Sequence, residues 1–271
     1  MRHLTSWRSF GLIIGLVVLL GVPGLLWRSH QVAVVRATYK SPVAPVILVP
    51  GSSATQNRFN ALVKELNGQT KTQHSLLRVE VKTNGHLVYN GAIRHGDKRP
   101  FIVIGFQNHH DGAVNIRKQA RWFAIAFRAL QRTYHFNHFS AMGHSNGGLV
   151  LTLFLENDLA ATGATADRLM TIAAPFNLEQ ASATVETPLF KQLVAGRDRL
   201  ATSLIVYSIA GSKSYTGDGI VPFASVNRGK YIFQKRVRSF TQIIVSGANA
   251  NHAHLPENRQ IVRLIRQDLL V

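Results

Sequence analysis

From residue 46 onward, short apolar runs rich in β-branched residues alternate with longer amphipathic stretches. The runs VILV (Val46–Val49) and PFIVIGF (Pro100–Phe106) are apolar at nearly every position, as in strands that are buried on both faces. A long helix is predicted between the second run and the next one, from about Val114 to Tyr134. This alternation predicts an α/β domain with a mostly parallel central sheet and helices on both faces.

The same patterns place the remaining elements of the domain. A short helix is predicted at about Arg58–Leu66, and the stretch LLRVEVKTNGHLVYNG predicts an antiparallel hairpin around Asn84 and Gly85. Three later apolar runs are predicted to be strands, at Arg168–Pro175, Ser203–Gly211 and Ser239–Gly247.

The heptapeptide MGHSNGG, residues 142–148, places Ser145 between glycines where the apolar run HFSAM gives way to the apolar stretch GLVLTLFLE. A strand, a tight glycine turn and a buried helix form the context in which G-x-S-x-G becomes a nucleophile elbow. The glycines are needed because side chains at their positions would collide with the neighbouring strand and helix. We therefore predict that Ser145 is a nucleophile and that His144 is a packing and hydrogen-bonding neighbour.

The candidate partners of Ser145 come later in the chain. In an α/β-hydrolase fold, the acid and the histidine follow the serine, on loops at the carboxyl ends of later strands. Asp167 and Asp198 precede strands, whereas Asp218, in TGDGIVP, follows one by a few residues and is the predicted acid. In the loop after the last strand, His252 and His254 both fit the position of the base.

An acyl-transfer site also needs two backbone N–H groups that face the charge developing on the carbonyl oxygen. The amide of Asn146, directly after the nucleophile, is one predicted donor. The other is predicted in the loop PGSSA after the first strand, at Ser52 in preference to Ser53.

Neither a metal nor a cofactor is expected. The neighbours His109, His110 and Asp111 belong to no recognised metal-binding spacing, and TGDGIVP lacks the regularly spaced acids of an EF-hand. The chain has no cysteine, which excludes disulfides, thiolate metal sites and a cysteine nucleophile.

The chain is strongly basic, with 31 Lys and Arg against 13 Asp and Glu and a formal charge of +18. Residues 1–40 contain five of the basic residues and no acid, so +13 remains on the rest of the chain. The charges are scattered, without a basic helix or an aromatic RNA-binding signature. We therefore expect an anionic membrane or cell-wall surface as a partner, and no nucleic acid.

The N-terminus carries Arg2 and Arg8 ahead of 19 uncharged residues, Ser9–Trp27. Such a segment is typical of an export signal or a single membrane anchor, and its length favours an uncleaved anchor. We predict a signal or anchor at residues 1–30, a linker at 31–44, a hydrolase domain at 45–271, and a membrane-anchored or secreted location outside the cytoplasm.

Taken together, the segments VILVPGSS, MGHSNGG, TIAAPFN, GDGIVPFASV and NANHAHLPEN resemble a family of α/β hydrolases of unknown function from Gram-positive bacteria. The resemblance runs from Val46 to the C-terminus and implies Ser145, Asp218 and His252 as the triad, so it selects His252 over His254. The chain departs from the family pattern at Pro50, where histidine is common, and at Asn146, where methionine is common.

These observations predict a serine hydrolase, of the carboxylesterase or lipase type, that acts on a small-molecule or lipid ester without a cofactor. Two alternatives remain: an amidase or peptidase with the same triad, and a non-catalytic envelope protein that uses the fold for binding. The sequence leaves the oligomeric state open.

The segment Phe176–Gly196 is the only one long enough to cover the site. One hypothesis is a small cap in which Leu189, Phe190 and Leu193 contact the acyl group. The alternative is an ordinary crossover helix.

Overall fold

The computed structural model describes residues 22–23, 41–68, 72–182 and 184–270. The chain divides into two units, residues 1–40 and residues 41–271. Apart from residues 22–23, the predicted anchor at residues 1–30 lies outside the described residues, and so does the predicted linker up to residue 40. In the part of the chain that is described, no helix has both the length and the apolar character needed to cross a bilayer.

The described residues of the second unit form nine strands, and eight of these make one sheet in the order β3-β2-β4-β1-β5-β6-β8-β9. Their bounds are β1 Val46–Val49, β2 Leu76–Val81, β3 Leu87–Gly91, β4 Phe101–Phe106, β5 His138–His144, β6 Thr165–Ile172, β7 Phe176–Glu179, β8 Ile205–Gly211 and β9 Ser239–Val245. Every neighbouring pair in the sheet is parallel except β2 and β3, which form the predicted antiparallel hairpin. The expectation of an α/β-hydrolase fold with a mostly parallel sheet is confirmed.

Within the same described part of the chain, seven α-helices accompany these strands. Their bounds are α1 Asn60–Gly68, α2 Ala113–Tyr134, α3 Asn146–Asn157, α4 Pro188–Gly196, α5 Phe223–Asn227, α6 Gly229–Phe233 and α7 Arg259–Leu264. The buried side chains form two large clusters, one that includes residues of α2, α3 and α4 and one that includes residues of α1 and α7. Because alternate residues of a strand point to opposite faces, Ile47 joins the first cluster and Leu48 the second, so helices cover both faces.

Helix ends follow local sequence signals. The helix α4 begins with Pro188 directly after Thr187, whose side chain accepts a hydrogen bond from the Phe190 amide. The helix α2 ends at Tyr134, and the next residue, His135, has a left-handed backbone (φ 53°) and donates its amide to the Gln131 carbonyl.

The parallel order explains where a site can form. The strands β1, β5, β8 and β9 all run in the same direction, so the loops that follow them meet at one edge of the sheet. Those loops carry Ser52, Ser145, Asp218 and His252. The last three follow Ser52 by 93 to 200 residues in the sequence.

Candidate active site

Ser145 occupies a strained turn between β5 and α3. Its φ of 53° and ψ of −130° lie in a region that residues with a side chain rarely adopt. The amide of Ser145 donates to the Ile172 carbonyl on β6 at 2.8 Å, which fixes the turn to the sheet. The turn is tighter than the sequence predicts, since the strand extends to His144 and the helix begins at Asn146.

The glycines around Ser145 are required by close backbone contacts. A Cβ at Gly147 would lie 2.1 Å from the Val49 carbonyl oxygen, and one at Gly143 would lie 2.4 Å from the Gly148 nitrogen. These contacts join the elbow to the end of β1 on one side and to α3 on the other. Any larger residue would therefore displace the helix or the strand, as the G-x-S-x-G pattern predicts.

Asp218 and His252 form a direct pair across 34 residues of chain. The Nδ1–H of His252 donates to Asp218 Oδ2 at 2.7 Å, and the backbone amide of His252 donates to the Asp218 carbonyl at 3.1 Å. Because Nδ1 carries the proton in this bond, Nε2 keeps its lone pair and can accept another proton.

Asp218 is 2% exposed, and both oxygens of its carboxylate accept hydrogen bonds. Its second oxygen, Oδ1, accepts hydrogen bonds from the amides of Ile220 at 3.0 Å and Val221 at 2.8 Å. These bonds explain the GDGIVP sequence, because the backbone must turn within three residues of Asp218 for the two amides to reach its carboxylate.

His144 contacts both the backbone and the ring of His252. Its Nε2–H donates to the His252 carbonyl at 3.0 Å, and the two ring centroids are 4.8 Å apart. Burial lowers the pKa of His144 well below its ordinary value of 6.5, and the nearby His252 and Arg58 lower it further. His144 is therefore neutral at pH 7, as expected for a hydrogen-bonding neighbour.

Arg58 holds the segment that follows His252, and sequence reasoning missed this role. Its Nη1 pairs with Glu257 Oε1 at 2.6 Å, and its Nη2 donates to the Ala253 carbonyl. The partners lie 195 and 199 residues from Arg58 along the chain. No local pattern could have indicated this contact.

A cavity of about 400 Å³ opens where these loops meet. It is lined by Ser52, Ser53, Asp111, Gly112, Ser145, Asn146, Pro175, Leu178, Glu179, Ile220, Val221 and His252. The structure thus brings Ser145 and His252 to the wall of one cavity. His254 is exposed, and its Nδ1 lies 2.9 Å from Asn251 Oδ1 instead.

The two expected oxyanion donors, Ser52 and Asn146, also line the cavity. The Ser53 amide donates to the His109 carbonyl at 2.8 Å, which favours Ser52 over Ser53 as the donor in this loop. The Asn146 amide lies in the first turn of α3, where N–H groups have no acceptor within the helix.

Asp111 is a cavity residue that sequence reasoning considered only in connection with a metal. Its Oδ1 accepts hydrogen bonds from Asn146 Nδ2 and from the Gly112 amide, both at 2.6 Å. Within the described ranges, no group of three His, Asp or Glu side chains could hold a metal ion.

The cap hypothesis is wrong for the three residues that it named. Leu189, Phe190 and Leu193 are buried in the hydrophobic core, and none of them lines the cavity. The segment forms β7 and α4, and the helix packs in the core, as the alternative of a crossover helix predicts. Leu178 and Glu179, at the end of β7, are the residues of this segment that reach the cavity.

The chain matches a protein family over residues 35–271, and that family is described as an alpha/beta hydrolase of unknown function. A structure of a proposed cell surface hydrolase from Lactobacillus plantarum WCFS1 is 57% identical, with a TM-score of 0.79, over 85% of this chain and 92% of that one. A structure of the lin2722 gene product from Listeria innocua shares the fold at 24% identity, with a TM-score of 0.75, over 83% and 94% of the two chains. No curated protein matches the chain.

Proposed function

The chain belongs to the family of α/β hydrolases of unknown function that it matches over residues 35–271, and on this premise we propose that it is a serine hydrolase of ester bonds. Ser145 is the nucleophile, His252 the general base and acid, and Asp218 the group that orients His252. The observation that carries the proposal is the 2.7 Å bond from His252 Nδ1 to Asp218 Oδ2, with His252 lining the same cavity as the strained Ser145.

The chemistry follows from these positions. Ser145 Oγ attacks the ester carbonyl carbon while His252 Nε2 removes its proton. The carbonyl oxygen becomes an oxyanion, which the amides of Ser52 and Asn146 stabilise. The imidazolium of His252 then gives its proton to the leaving alkoxide, and an acyl group remains on Ser145.

A water molecule then takes the acyl group from Ser145 and completes the cycle. His252 removes a proton from the water as it attacks the acyl carbon, and returns that proton to Ser145 Oγ as the bond between Oγ and the acyl carbon breaks and the carboxylic acid leaves. Throughout, the ionised Asp218 stabilises the charged form of His252 and keeps the proton on Nδ1 when the ring is neutral. Because all proton transfers pass through one histidine, no cofactor is needed.

An ester substrate fits the cavity better than a long peptide. Four lining residues are apolar, Pro175, Leu178, Ile220 and Val221, and a volume of about 400 Å³ accommodates a small acyl group. An alcohol is also an easier leaving group than an amine. The substrate class is a small-molecule or lipid ester.

Hydrolysis of paired esters and amides tests the proposal. The full-length protein should hydrolyse p-nitrophenyl acetate or butyrate, and it should hydrolyse the corresponding p-nitroanilides at least a hundredfold more slowly. Ser145→Ala should abolish ester turnover, while Ser53→Ala, at a neighbouring cavity residue whose amide bonds to His109, should retain most of it. Comparable turnover of the anilides would favour the amidase alternative, and a folded wild type with no turnover would favour a binding protein.

The proposed location is outside the cytoplasm. The Lactobacillus plantarum protein, 57% identical, is described as a proposed cell surface hydrolase, and the predicted anchor at residues 1–30 agrees with such a location. Proteinase added to intact cells should degrade the protein. Complete protection, with degradation only after lysis, would contradict this placement.

A further inference from the structure

The carboxylates of this chain are few, and most of them have a basic side chain as a partner. Of the 13 Asp and Glu side chains, five form ion pairs with Lys or Arg, and three others lie 2.7 to 3.3 Å from the Nδ1 of a histidine. Three others have a cationic or polar group nearby without forming an ion pair in the described structure: Glu156 lies near Arg199, Asp268 contacts Tyr207, and Glu65 shares a cavity with three arginines. Asp111 and Glu179 remain.

Both of these carboxylates line the cavity that contains Ser145 and His252. Among the described residues, neither forms an ion pair, and the twelve lining residues include no Lys or Arg. The cavity is therefore negative in a chain whose formal charge is +18. The chain has more than two basic residues for each acidic one, so a shortage of basic residues does not explain why neither carboxylate forms an ion pair in the described structure.

The two carboxylates differ in their surroundings. Asp111 accepts hydrogen bonds from Asn146 Nδ2 and the Gly112 amide, which fix its position beside the turn that carries Ser145. Glu179 is exposed at the end of β7, next to the apolar Leu178 that also lines the cavity. Both residues are thus exposed to solvent and to a ligand, and within the described structure Asp111 is the one whose carboxylate is held by hydrogen bonds.

Two negative charges in a cavity act on any charged substrate that enters it. They repel an oxyanion that forms at Ser145, so they raise the energy of the transition state for an ester without a compensating positive charge. A positive group on the substrate is attracted in the ground state and also offsets the repulsion in the transition state. An anionic ester is disfavoured in both.

We propose that the cavity selects esters that carry a cationic ammonium group, with Glu179 and Asp111 as the residues that determine this specificity. The inference rests on the proposed hydrolysis of esters at Ser145, and it adds the charge of the substrate. It also assigns opposite roles to two parts of the molecule: the basic surface favours anionic surroundings, while the acidic cavity receives a cationic group.

Two esters of nearly equal shape test the proposal. Acetylcholine and 3,3-dimethylbutyl acetate differ by one charge, because a quaternary nitrogen in the first replaces a carbon in the second. For the full-length protein at low ionic strength, kcat/KM should be about fivefold higher for acetylcholine, as expected for one or two charges at several ångströms in a partly solvated site. The ratio should decrease as salt is added, because ions screen the attraction.

Variants assign the effect to the cavity. Glu179→Gln should lower the ratio of the two kcat/KM values toward one, and Asp111→Asn, which retains acceptors for Asn146 and Gly112, should lower it too. Glu186→Gln is the matched control, since it removes an equal charge from the same segment at a carboxylate that pairs with Arg228 outside the cavity. The control should keep the wild-type ratio.

The outcomes separate this inference from the proposed function. If both acetates are hydrolysed with equal kcat/KM, or if Glu179→Gln and Asp111→Asn both keep the wild-type ratio, the cationic specificity is wrong and ester hydrolysis stands. If neither acetate nor p-nitrophenyl acetate is hydrolysed by the folded protein, the proposed function fails, and the inference fails with it.

Discussion

The side chains around His252 show how a few contacts orient the proposed proton acceptor. Asp218 fixes the proton on Nδ1, and His144 holds the backbone of His252 through its carbonyl. Both contacts favour one ring orientation, and both partners are nearly or fully buried. Sequence order and the family resemblance predicted the choice of Asp218 and His252. The roles of Arg58 and Asp111 depend on contacts between distant segments, which no local pattern encodes.

His144 predicts a specific dependence of stability on pH. Its pKa in the folded protein is well below 6.5, so the unfolded chain binds a proton between the folded pKa and 6.5 that the folded protein does not. The free energy of unfolding should therefore fall as the pH is lowered below about 6.5, by up to about 1.4 kcal/mol per pH unit from this residue.

The variant His144→Gln tests this dependence, because glutamine can still donate a hydrogen bond to the His252 carbonyl without titrating. Urea unfolding at pH 7 and at pH 5 should show a smaller loss of stability for the variant than for the wild type. His254→Gln, at an exposed histidine, is the control and should behave as the wild type. Equal losses in all three proteins would contradict the account.

At the scale of single elements, the strand, turn and helix around Ser145 were predictable because three independent signals coincide there. The apolar strand, the glycines and the apolar helix all belong to one short stretch of sequence. The segment after β6 was harder, since an amphipathic pattern shows that α4 has a buried face without showing what it contacts. Its apolar residues pack in the core near Phe154 and Phe176, and only the end of β7 reaches the cavity.

The end of α3 contains a buried acid that the proposed mechanism does not use. Glu156 is 3% exposed, and neither of its carboxyl oxygens has a hydrogen-bond partner in the described structure. Burial raises its pKa from 4.5 to about 8, against the opposing effect of Arg199. The folded protein therefore keeps a proton that the unfolded chain loses above pH 4.5, so the stability contributed by this residue falls as the pH rises from about 4.5 to about 8.

Glu156→Gln should consequently stabilise the protein at pH 9, by about 1 to 3 kcal/mol. At this pH the buried carboxyl of the wild type must either ionise or keep a proton that the unfolded chain has lost, and both cost free energy that a neutral amide avoids. The difference from the wild type should shrink toward pH 5, and thermal unfolding at the two pH values measures it. Glu80→Gln, at a residue that pairs with Lys82, is the control. A variant that is less stable than the wild type at pH 9 would show that Glu156 has a charged partner.

For the whole molecule, the sheet order and the charge distribution are the features that matter. The parallel order places the ends of β1, β5, β8 and β9 together, and this follows from the α/β pattern that the sequence shows. The net charge is also evident from composition. The negative cavity within this basic chain was not predictable, because Asp111 and Glu179 are 68 residues apart and only the fold brings both to the cavity.

The charge of +18 predicts attraction to anionic surfaces. The full-length protein should bind vesicles that contain phosphatidylglycerol more strongly than vesicles of phosphatidylcholine alone, and the difference should decrease steeply between low and physiological salt. Sedimentation with the two kinds of vesicle measures this preference. Because any effect of the N-terminal segment is present with both lipids, equal binding to the two would contradict an electrostatic partner role.

The most direct test of the central claim is covalent labelling of the full-length protein with a fluorophosphonate, with the modified peptide identified by mass spectrometry. The account predicts one adduct, on Ser145. Labelling should be absent in Ser145→Ala, slowed at least a hundredfold in His252→Ala and in Asp218→Asn, and unchanged in His254→Ala. A folded wild type that does not react, an adduct on another residue, or a His252→Ala variant that reacts at the wild-type rate would contradict it.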